Sequence, residues 1–591
     1  MIRDGAPVSV ILEIQRSLAG VVTVMNVMTA GSGSGSAVTV PPERLEVDTA
    51  IIGGGVSGLY AAWRLLTADP TRTVAVFESS ERLGGRLFSR ALPGMPHVNA
   101  ELGGMRYLPN QQRLVHGAVE ELGLATRPFL VGDPRPRGGL PGAPPTGTRE
   151  NLVYLRRKLM RQRELAAVAG ERYFLGPHER GKTPDQLLEQ VMATYTPFVA
   201  GRDVSVFGER EVLGEPLYRT GYWNLLAKVL SSEGYRYVRD AGGYDTNVSN
   251  ANAAAALQID EFGGEVIYRT LKRGMQELPL ALARACDRVS QSQRGAPTVW
   301  RNVRLDGFTR ADERARRYRL QMARTDTRLG ETRDLEAAPS LTVHADHVIL
   351  AMPRRALELL DRDTLLFADP WFREHLKSVV SQAAFKFFLG FEQPWWRGLG
   401  LYAGRSICDL PIRQTYYFET EGEQPGGDPE NTNSLMMASY SDDVSVAFWK
   451  GFEKGRAFTG AANRFVAGRP PVDPDLVRNV TQEMVEMCAR LVAEAHGVRS
   501  IPRPYTAVFQ DWSVDPYGGG WHAWKAGFRY WTVMARMRRP LPRESVYICG
   551  EAYSNKQGWI EGALQTAEHV LEREFGLERP SWLPPAYSLG P

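Results

Sequence analysis

The stretch that most constrains this chain lies between residues 47 and 78. A short apolar run, Val47-Asp-Thr-Ala-Ile-Ile52, leads directly into Gly53-Gly54-Gly55-Val56-Ser57-Gly58. Apolar residues then recur at Val56, Leu59, Tyr60, Trp63 and Leu66, the three-and-four spacing of one helix face. A second apolar run, Thr73-Val-Ala-Val-Phe77, ends at Glu78. Strand, G-x-G-x-x-G, helix, strand, acid is the pattern of a βαβ unit that binds a dinucleotide. Gly53 permits the tight turn, Gly55 lets the backbone approach a pyrophosphate, and Gly58 lets the helix pack close to the sheet. The free N–H groups and positive dipole end of that helix favour the phosphate. Glu78 stands 20 residues beyond Gly58, where an acid grips a ribose hydroxyl.

Composition excludes several other classes. The 591 residues would suggest several domains at roughly 100–200 residues each, and 43% hydrophobic with 23% charged residues is globular rather than disordered. A surplus of 71 Lys+Arg over 67 Asp+Glu leaves only +4, too little for a nucleic-acid protein. The Arg-rich stretch from Arg310 to Arg333 is interspersed with Asp and Glu and reads as a solvated sheet edge. The longest uncharged run, Ser17 to Pro42, is broken by Thr, Asn and a Gly-Ser tract and falls short of the roughly 20 apolar residues of a membrane span. Four scattered cysteines (286, 408, 488 and 549) without a C-x-x-C pair, and nine histidines without H-E-x-x-H, predict neither a disulfide framework nor a metal site. Residues 1–42 read as a disordered leader. A cytoplasmic location is expected, with secretion or pro-segment processing left open.

The glycine triplet alone does not separate NAD from FAD, but the flanking residues do. Glu81-Arg82-Leu83-Gly84-Gly85-Arg86 and Asn99-Ala-Glu101-Leu102-Gly103-Gly104-Met105-Arg106 follow in order. The far end carries Ser545-Val-Tyr-Ile-Cys549-Gly550-Glu551 and Gln557-Gly558-Trp559-Ile560-Glu561. This succession resembles the flavin amine oxidase family, which includes monoamine, polyamine and L-amino-acid oxidases. The resemblance implies FAD, with contacts from Gly53, Gly55, Ser57, Gly58, Glu78, Ser79, Gly85, Arg86, Gly104, Met105, Arg106, Val303, Glu551, Gly558, Trp559 and Ile560. Arg86 is placed on the pyrophosphate, where a guanidinium fork suits phosphate oxygens. Val303 is placed beside the adenine, and Glu551 and Ile560 near the ribityl chain and pyrimidine edge. Where several relatives tether FAD through a cysteine after two glycines, this chain reads Gly518-Gly519-Gly520-Trp521, so noncovalent FAD is expected.

Within the family, an amino acid differs from a free amine by a carboxylate that needs a cationic partner in a largely dry pocket. Arg106 matches the arginine that holds this carboxylate in L-amino-acid oxidases, and Tyr440, in Met437-Ala-Ser-Tyr440, matches the tyrosine that supports it. Lys386, in Ala384-Phe-Lys386-Phe, matches the lysine near flavin N5 implicated in the reaction with O2. Arg106, Tyr440 and Lys386 are therefore the expected catalytic residues, and Trp559 and Trp521 the expected pocket walls. Asp240 is a candidate partner for a cationic substrate side chain, against the alternative of an aspartate that caps backbone. Most of the other aromatics between Trp512 and Trp531 should be core. No general base is assigned.

The expected fold is α/β (α+β): a discontinuous Rossmann-like FAD-binding domain (43–105, 262–355 and 535–577), a mixed-sheet substrate domain (106–150 and 356–534), a helical domain (151–261) and a C-terminal tail (578–591). Residues 421–433 read as a mobile loop from their Gly, Pro, Asp and Asn content. The expected activity is oxidation of an L-amino acid with a basic or bulky apolar/aromatic side chain, with O2 as the second substrate. Segments such as Gly234-Tyr-Arg-Tyr-Val-Arg-Asp240 to Asn247 resemble lysine and tryptophan 2-monooxygenases, so decarboxylation to an amide is the alternative within enzymes. A noncatalytic FAD-binding protein is the alternative outside them. A homodimer is typical of such relatives, although no residue here shows one.

Overall fold

The computed structural model describes residues 43–590 apart from 200–201, 213, 247–248, 250, 258–266, 295–296, 312–315, 337 and 467–476. The expected leader, Asn247 and the expected boundary at 261–262 lie outside the described residues.

The first strand, Arg44–Ile52, runs parallel to Val74–Phe77 on one side and to Leu341–Leu350 on the other. Val299–Trp300 and Val546–Ile548 extend this parallel core at its two edges. The register pairs Ile52 with Phe77 and with Leu350, and Leu350 with Ile548, so the carboxyl ends of four strands finish at one level. A crevice outside those ends is where open α/β sheets bind ligands. The helix Val56–Ala68 lies between this sheet and the helices Glu277–Arg294 and Ile560–Glu574. The Tyr60 hydroxyl donates to Glu568 Oε2 at 2.7 Å and Arg64 pairs with the same buried carboxylate, tying the first helix to the last. Strands Val303–Arg310, Tyr318–Arg328 and Glu331–Asp334 form an antiparallel flap on the same sheet. Its arginines are spent in surface pairs such as Arg304–Asp334 and Arg328–Asp326, in keeping with a solvated edge.

The second sheet has seven strands in the order Thr506–Asp511, Ala384–Phe391, Ser434–Asp442, Gln414–Thr420, Gly404–Cys408, Leu152–Leu155 and Lys158–Arg161. All neighbours are antiparallel except Gly404–Cys408 with Leu152–Leu155. Every residue of Ala384–Phe391 is buried, which explains the near-continuous apolar sequence around the one charged member, Lys386.

Several expected boundaries shift. Residues 152–161 form a hairpin of this sheet rather than the start of the helical region, its turn made by Arg156 and Arg157 at φ 47° and 63°. A four-residue apolar run such as Leu152-Val-Tyr-Leu does not distinguish strand from helix by periodicity. The insertion proper carries helices between Leu165 and Ala256. The helix Arg113–Glu121 packs Leu114, Val115 and Val119 into the core of the dinucleotide-binding sheet. The C-terminal tail joins that core through Leu583 and Leu589. Residues 421–433 are pinned: buried Glu421 accepts the His97 N–H at 3.0 Å, and the Asn431 and Asn433 amides both donate to the Gly94 carbonyl. The described residues 43–590 thus form one compact unit of interleaved segments. Among the described residues no helix is long and apolar enough to cross a membrane.

Candidate active site

The crevice at the strand ends is built by the motif that opened the chain. Gly53 has φ +115°, and a Cβ there would stand 2.5 Å from the Ala351 carbonyl oxygen. A Cβ on Gly58 would stand 2.1 Å from the Gly53 carbonyl oxygen, so the close approach of helix to strand depends on its absence. Gly55 differs: a Cβ there would meet only the Gly85 Cα, at 3.9 Å, and would otherwise fill the crevice. Helices Val56–Ala68 and Ile560–Glu574 both begin at the crevice, and neither N-terminus carries a side-chain cap. Their orphan N–H groups are donors for an anionic or carbonyl-rich ligand. Glu78 lines the wall, its Oε2 accepting the Gly54 N–H at 2.8 Å and its Oε1 the Ser80 N–H at 2.9 Å.

Gly53, Gly55, Ser57, Glu78, Ser79, Gly85, Arg86, Gly104, Val303, Glu551, Gly558, Trp559 and Ile560 all line this crevice. Gly58, Met105 and Arg106 do not: Gly58 packs helix on strand, Met105 enters a hydrophobic core, and Arg106 belongs to a neighbouring cluster. Two expected contacts are partly committed within the protein. The Val303 N–H donates to the Glu78 carbonyl at 2.9 Å, and Arg86 Nη1 donates to Glu551 Oε2 at 2.8 Å. A flexible arginine beside a carboxylate pairs with it wherever the backbone lets them meet, and no local pattern foretells that across the length of the chain.

The neighbouring cluster combines the second sheet with the loop after Met95–Glu101. The register sets Lys386 opposite Tyr440, Tyr440 opposite Gln414, and Arg405 opposite Tyr416. Lys386 Nζ lies 4.6 Å from the Tyr440 ring centroid and donates to the carbonyls of Gly103 at 2.6 Å and Glu101 at 3.1 Å. Burial pushes Lys386 down to about 7, helped by Arg106 and opposed by Glu101. Burial likewise pushes the Glu101 carboxyl up to about 7, against hydrogen bonds from Ser89 and the Met275 N–H.

Reciprocal backbone bonds between Tyr107 and Arg269 hold the chain beside Arg106. The Arg106 guanidinium lies 4.3 Å from the Tyr268 ring centroid and 5.2 Å from that of Phe129. Burial opposes its charge, but Tyr416, Tyr244 and Tyr268 around it more than offset that, and its pKa is raised. Among the described residues Arg106 forms no salt bridge to a carboxylate. Tyr268 stacks on Trp559 (6.5 Å, 10°), which also lines the crevice and so joins the two sites. Tyr244 meets Tyr440 at 5.2 Å and Trp521 at 6.0 Å, edge to face.

The structure thus brings Arg106, Tyr440, Lys386, Trp521 and Trp559 together and leaves Asp240 out. Asp240 is buried in the helix Ser232–Gly242, with Oδ1 bound to its neighbour Arg239 and Oδ2 accepting the Tyr173 hydroxyl at 3.0 Å. Its oxygens are taken, and it is neither a loop residue nor a backbone cap. Trp512, Trp524, Tyr530 and Trp531 are core, as their spacing suggested, whereas Tyr517 lines the crevice. Sequence reasoning missed Phe129, Tyr244, Tyr268 and Tyr416. Strand alternation in Gln414–Thr420 separates Tyr416 from Tyr417 by face but does not say which face meets the site.

A model of the family described as flavin containing amine oxidoreductase matches residues 56–570. Similar proteins include aplysianin-A of Aplysia kurodai, 30% identical with 90% of each chain covered. Achacin of Lissachatina fulica is 28% identical over 90% of this chain and 93% of its own. L-amino acid oxidase Bs29 of Bothriechis schlegelii is 24% identical with 87% of each chain covered. A solved double mutant of putrescine oxidase shares the fold, with a TM-score of 0.60 at 16% identity, over 90% of this chain and all of that one. The uncapped helix ends, the glycine-lined approach and the Glu78 carboxylate fit FAD, and the chain belongs to the flavin containing amine oxidoreductases as an FAD-dependent enzyme.

Proposed function

We propose that the protein oxidises an L-amino acid at Cα, using noncovalent FAD and O2. The observation that carries this reading is Arg106, a cation set among aromatic rings beside the cofactor crevice with no carboxylate partner among the described residues. The tyrosines around it offset its burial but bring no formal negative charge at neutral pH, and a substrate carboxylate is the counter-charge that would complete the pair. The names of several relatives, L-amino acid oxidases, support the same class.

In this reading Arg106 and the Tyr440 hydroxyl bind the carboxylate and so fix one end of the substrate. Trp559, Tyr268 and Trp521 wall the pocket, exclude water and turn Cα toward the crevice. The amine enters as the free base, its lone pair available as Cα–H is lost. Bound FAD supplies the two-electron acceptor, and with O2 as final oxidant the products are H2O2 and an imino acid that hydrolyses to a 2-oxo acid and ammonia. Lys386, held by two carbonyls at the edge of the pocket, is poised to offer a positive charge to reducing oxygen when protonated.

Commitment of the Asp240 carboxylate removes the acid singled out for a cationic side chain, and the aromatic walls favour a bulky apolar or aromatic one. Trp521 at the tether position, together with four buried free cysteines, supports noncovalent FAD. The test is a panel of L- and D-amino acids and their decarboxylated amines, followed by peroxide release and product mass. Peroxide, 2-oxo acid and ammonia from L-amino acids are expected. Amide and CO2 alone would replace the oxidase by the 2-monooxygenase, and turnover of amines in preference to amino acids would overturn the reading.

A further inference from the structure

The strand Trp521–Trp524 pairs with Val379–Gln382 and alternates its side chains. Trp521 meets Tyr244 on the substrate side, whereas His522 turns into the interior and is 1% exposed. There His522 reaches the Glu551 carboxylate twice. Its backbone N–H donates to Oε1 at 2.8 Å and its ring Nδ1 lies 2.8 Å from Oε2. The Gly558 N–H donates to Oε1 at 2.8 Å and Arg86 Nη1 to Oε2 at 2.8 Å, so each oxygen takes two donors. Arg86 Nη1 also donates to the Gly520 carbonyl at 3.0 Å, closing the network back onto the strand that carries His522. Arg86, Gly520, Glu551 and Gly558 all line the cofactor crevice.

Burial opposes a charge on Glu551, yet Arg86, His522 and Gly558 together hold its carboxyl far below the usual carboxylate range. An ionised carboxylate only accepts, so the proton of the contact must sit on Nδ1. Nε2 is then left buried without a hydrogen-bond partner among the described residues. A strand position inside a core is filled at less cost by Leu or Phe, because an unsatisfied buried nitrogen is unfavourable. The contact with Glu551 is what this histidine provides in return.

We infer that His522 is a positioning residue for FAD: its imidazole holds Glu551 as an anion that sets Arg86 in the crevice wall, and this buried relay helps retain a cofactor that has no covalent tether. It acts through Glu551 rather than by touching the reacting atoms.

The test uses holoenzyme, with FAD release on dilution followed by flavin fluorescence and thermal melting recorded in parallel. H522L, which keeps volume but loses the donor, should release FAD on the order of tenfold to a hundredfold faster, the range for a lost hydrogen bond to a charged group. H522N, whose amide nitrogen stands where Nδ1 stood, should stay within about threefold of the parent because the charged contact survives. E551Q, which also loses the ion pair with Arg86, should release FAD at least as fast as H522L, and adding H522L to E551Q should change little further, since the imidazole acts only through this carboxylate. Retention of FAD by H522L at the parental rate overturns the inference. So does H522N as leaky as H522L, or additive effects of H522L and E551Q. Should H522L not fold, H522Q, with its amide one bond further out, supplies the contrast with H522N.

Discussion

Replacing Arg106 by Met tests the carboxylate assignment most directly, because the structure predicts opposite outcomes for activity and for integrity. Among the described residues Arg106 has no acid to lose. Its contacts with the Tyr268 and Phe129 rings are of the kind valued at about 0.5–2 kcal/mol, and the tyrosines around it outweigh its burial, so R106M should lose about that much. Thermal stability should therefore stay within a few degrees of the parent. With substrate bound the balance changes. Truncating one partner of a desolvated, hydrogen-bonded charge pair costs about 2–5 kcal/mol. Arg106 is half-buried rather than sealed, so the lower part of that range applies. At ~1.4 kcal/mol per tenfold, kcat/KM for amino acids should fall by roughly 30- to 300-fold. Decarboxylated amines, which never used the guanidinium, should lose little, and the preference for amino acid over amine should collapse. FAD content should be unchanged, since Arg106 does not line the crevice. A variant that keeps kcat/KM within threefold of the parent, or that loses its yellow colour, refutes the reasoning.

Four further expectations follow from the same geometry. Lys386 titrates near 7 because burial disfavours its charge, so it is charged below that pH and neutral above; reoxidation of the reduced enzyme by O2 should slow as pH rises through about 7, and K386M should be slow and flat across that window in stopped-flow traces. The same shift destabilises the fold fully below about 7 and progressively less toward the unfolded value of 10.5, so K386M should gain stability over the parent most at low pH, as read by denaturant titration. G55A and G58A should separate cofactor binding from folding: the Gly55 Cβ enters only the crevice and should weaken FAD at least about tenfold in an otherwise stable protein, whereas the Gly58 Cβ, 2.1 Å from a carbonyl oxygen, should destabilise the apoprotein itself. D240N should cost about 1–3 kcal/mol of stability by weakening its Arg239 bonds, yet leave the ratio of kcat/KM for lysine over leucine unmoved; a selective loss of lysine turnover would restore Asp240 to the substrate site.

The cofactor half of the protein was legible because its constraints are local. A turn at φ +115°, a helix glycine whose Cβ would stand 2.1 Å from a strand-end carbonyl oxygen and an acid at the next strand end are each specified by a few consecutive residues. The hairpin at 152–161 was not legible, since four apolar residues fit either helix or strand until a sheet edge receives them. Residues 421–433 carry a loop composition yet are held by Gly94 and His97, more than 320 positions away. Composition reports local backbone preference and is silent on such partners.

The substrate cluster divides along the same line. Arg106, Tyr440 and Lys386 could be singled out because each stands in a recognisable run of neighbours. That Arg106 lies between Tyr268 and Phe129, that Asp240 spends both oxygens on Arg239 and Tyr173, and that His522 joins Glu551 to Arg86 are facts of tertiary contact. Short-range motifs encode backbone geometry, which needs only adjacent residues. The charge state and availability of a side chain depend on desolvation and on partners drawn from distant segments, and those exist only once the chain has folded.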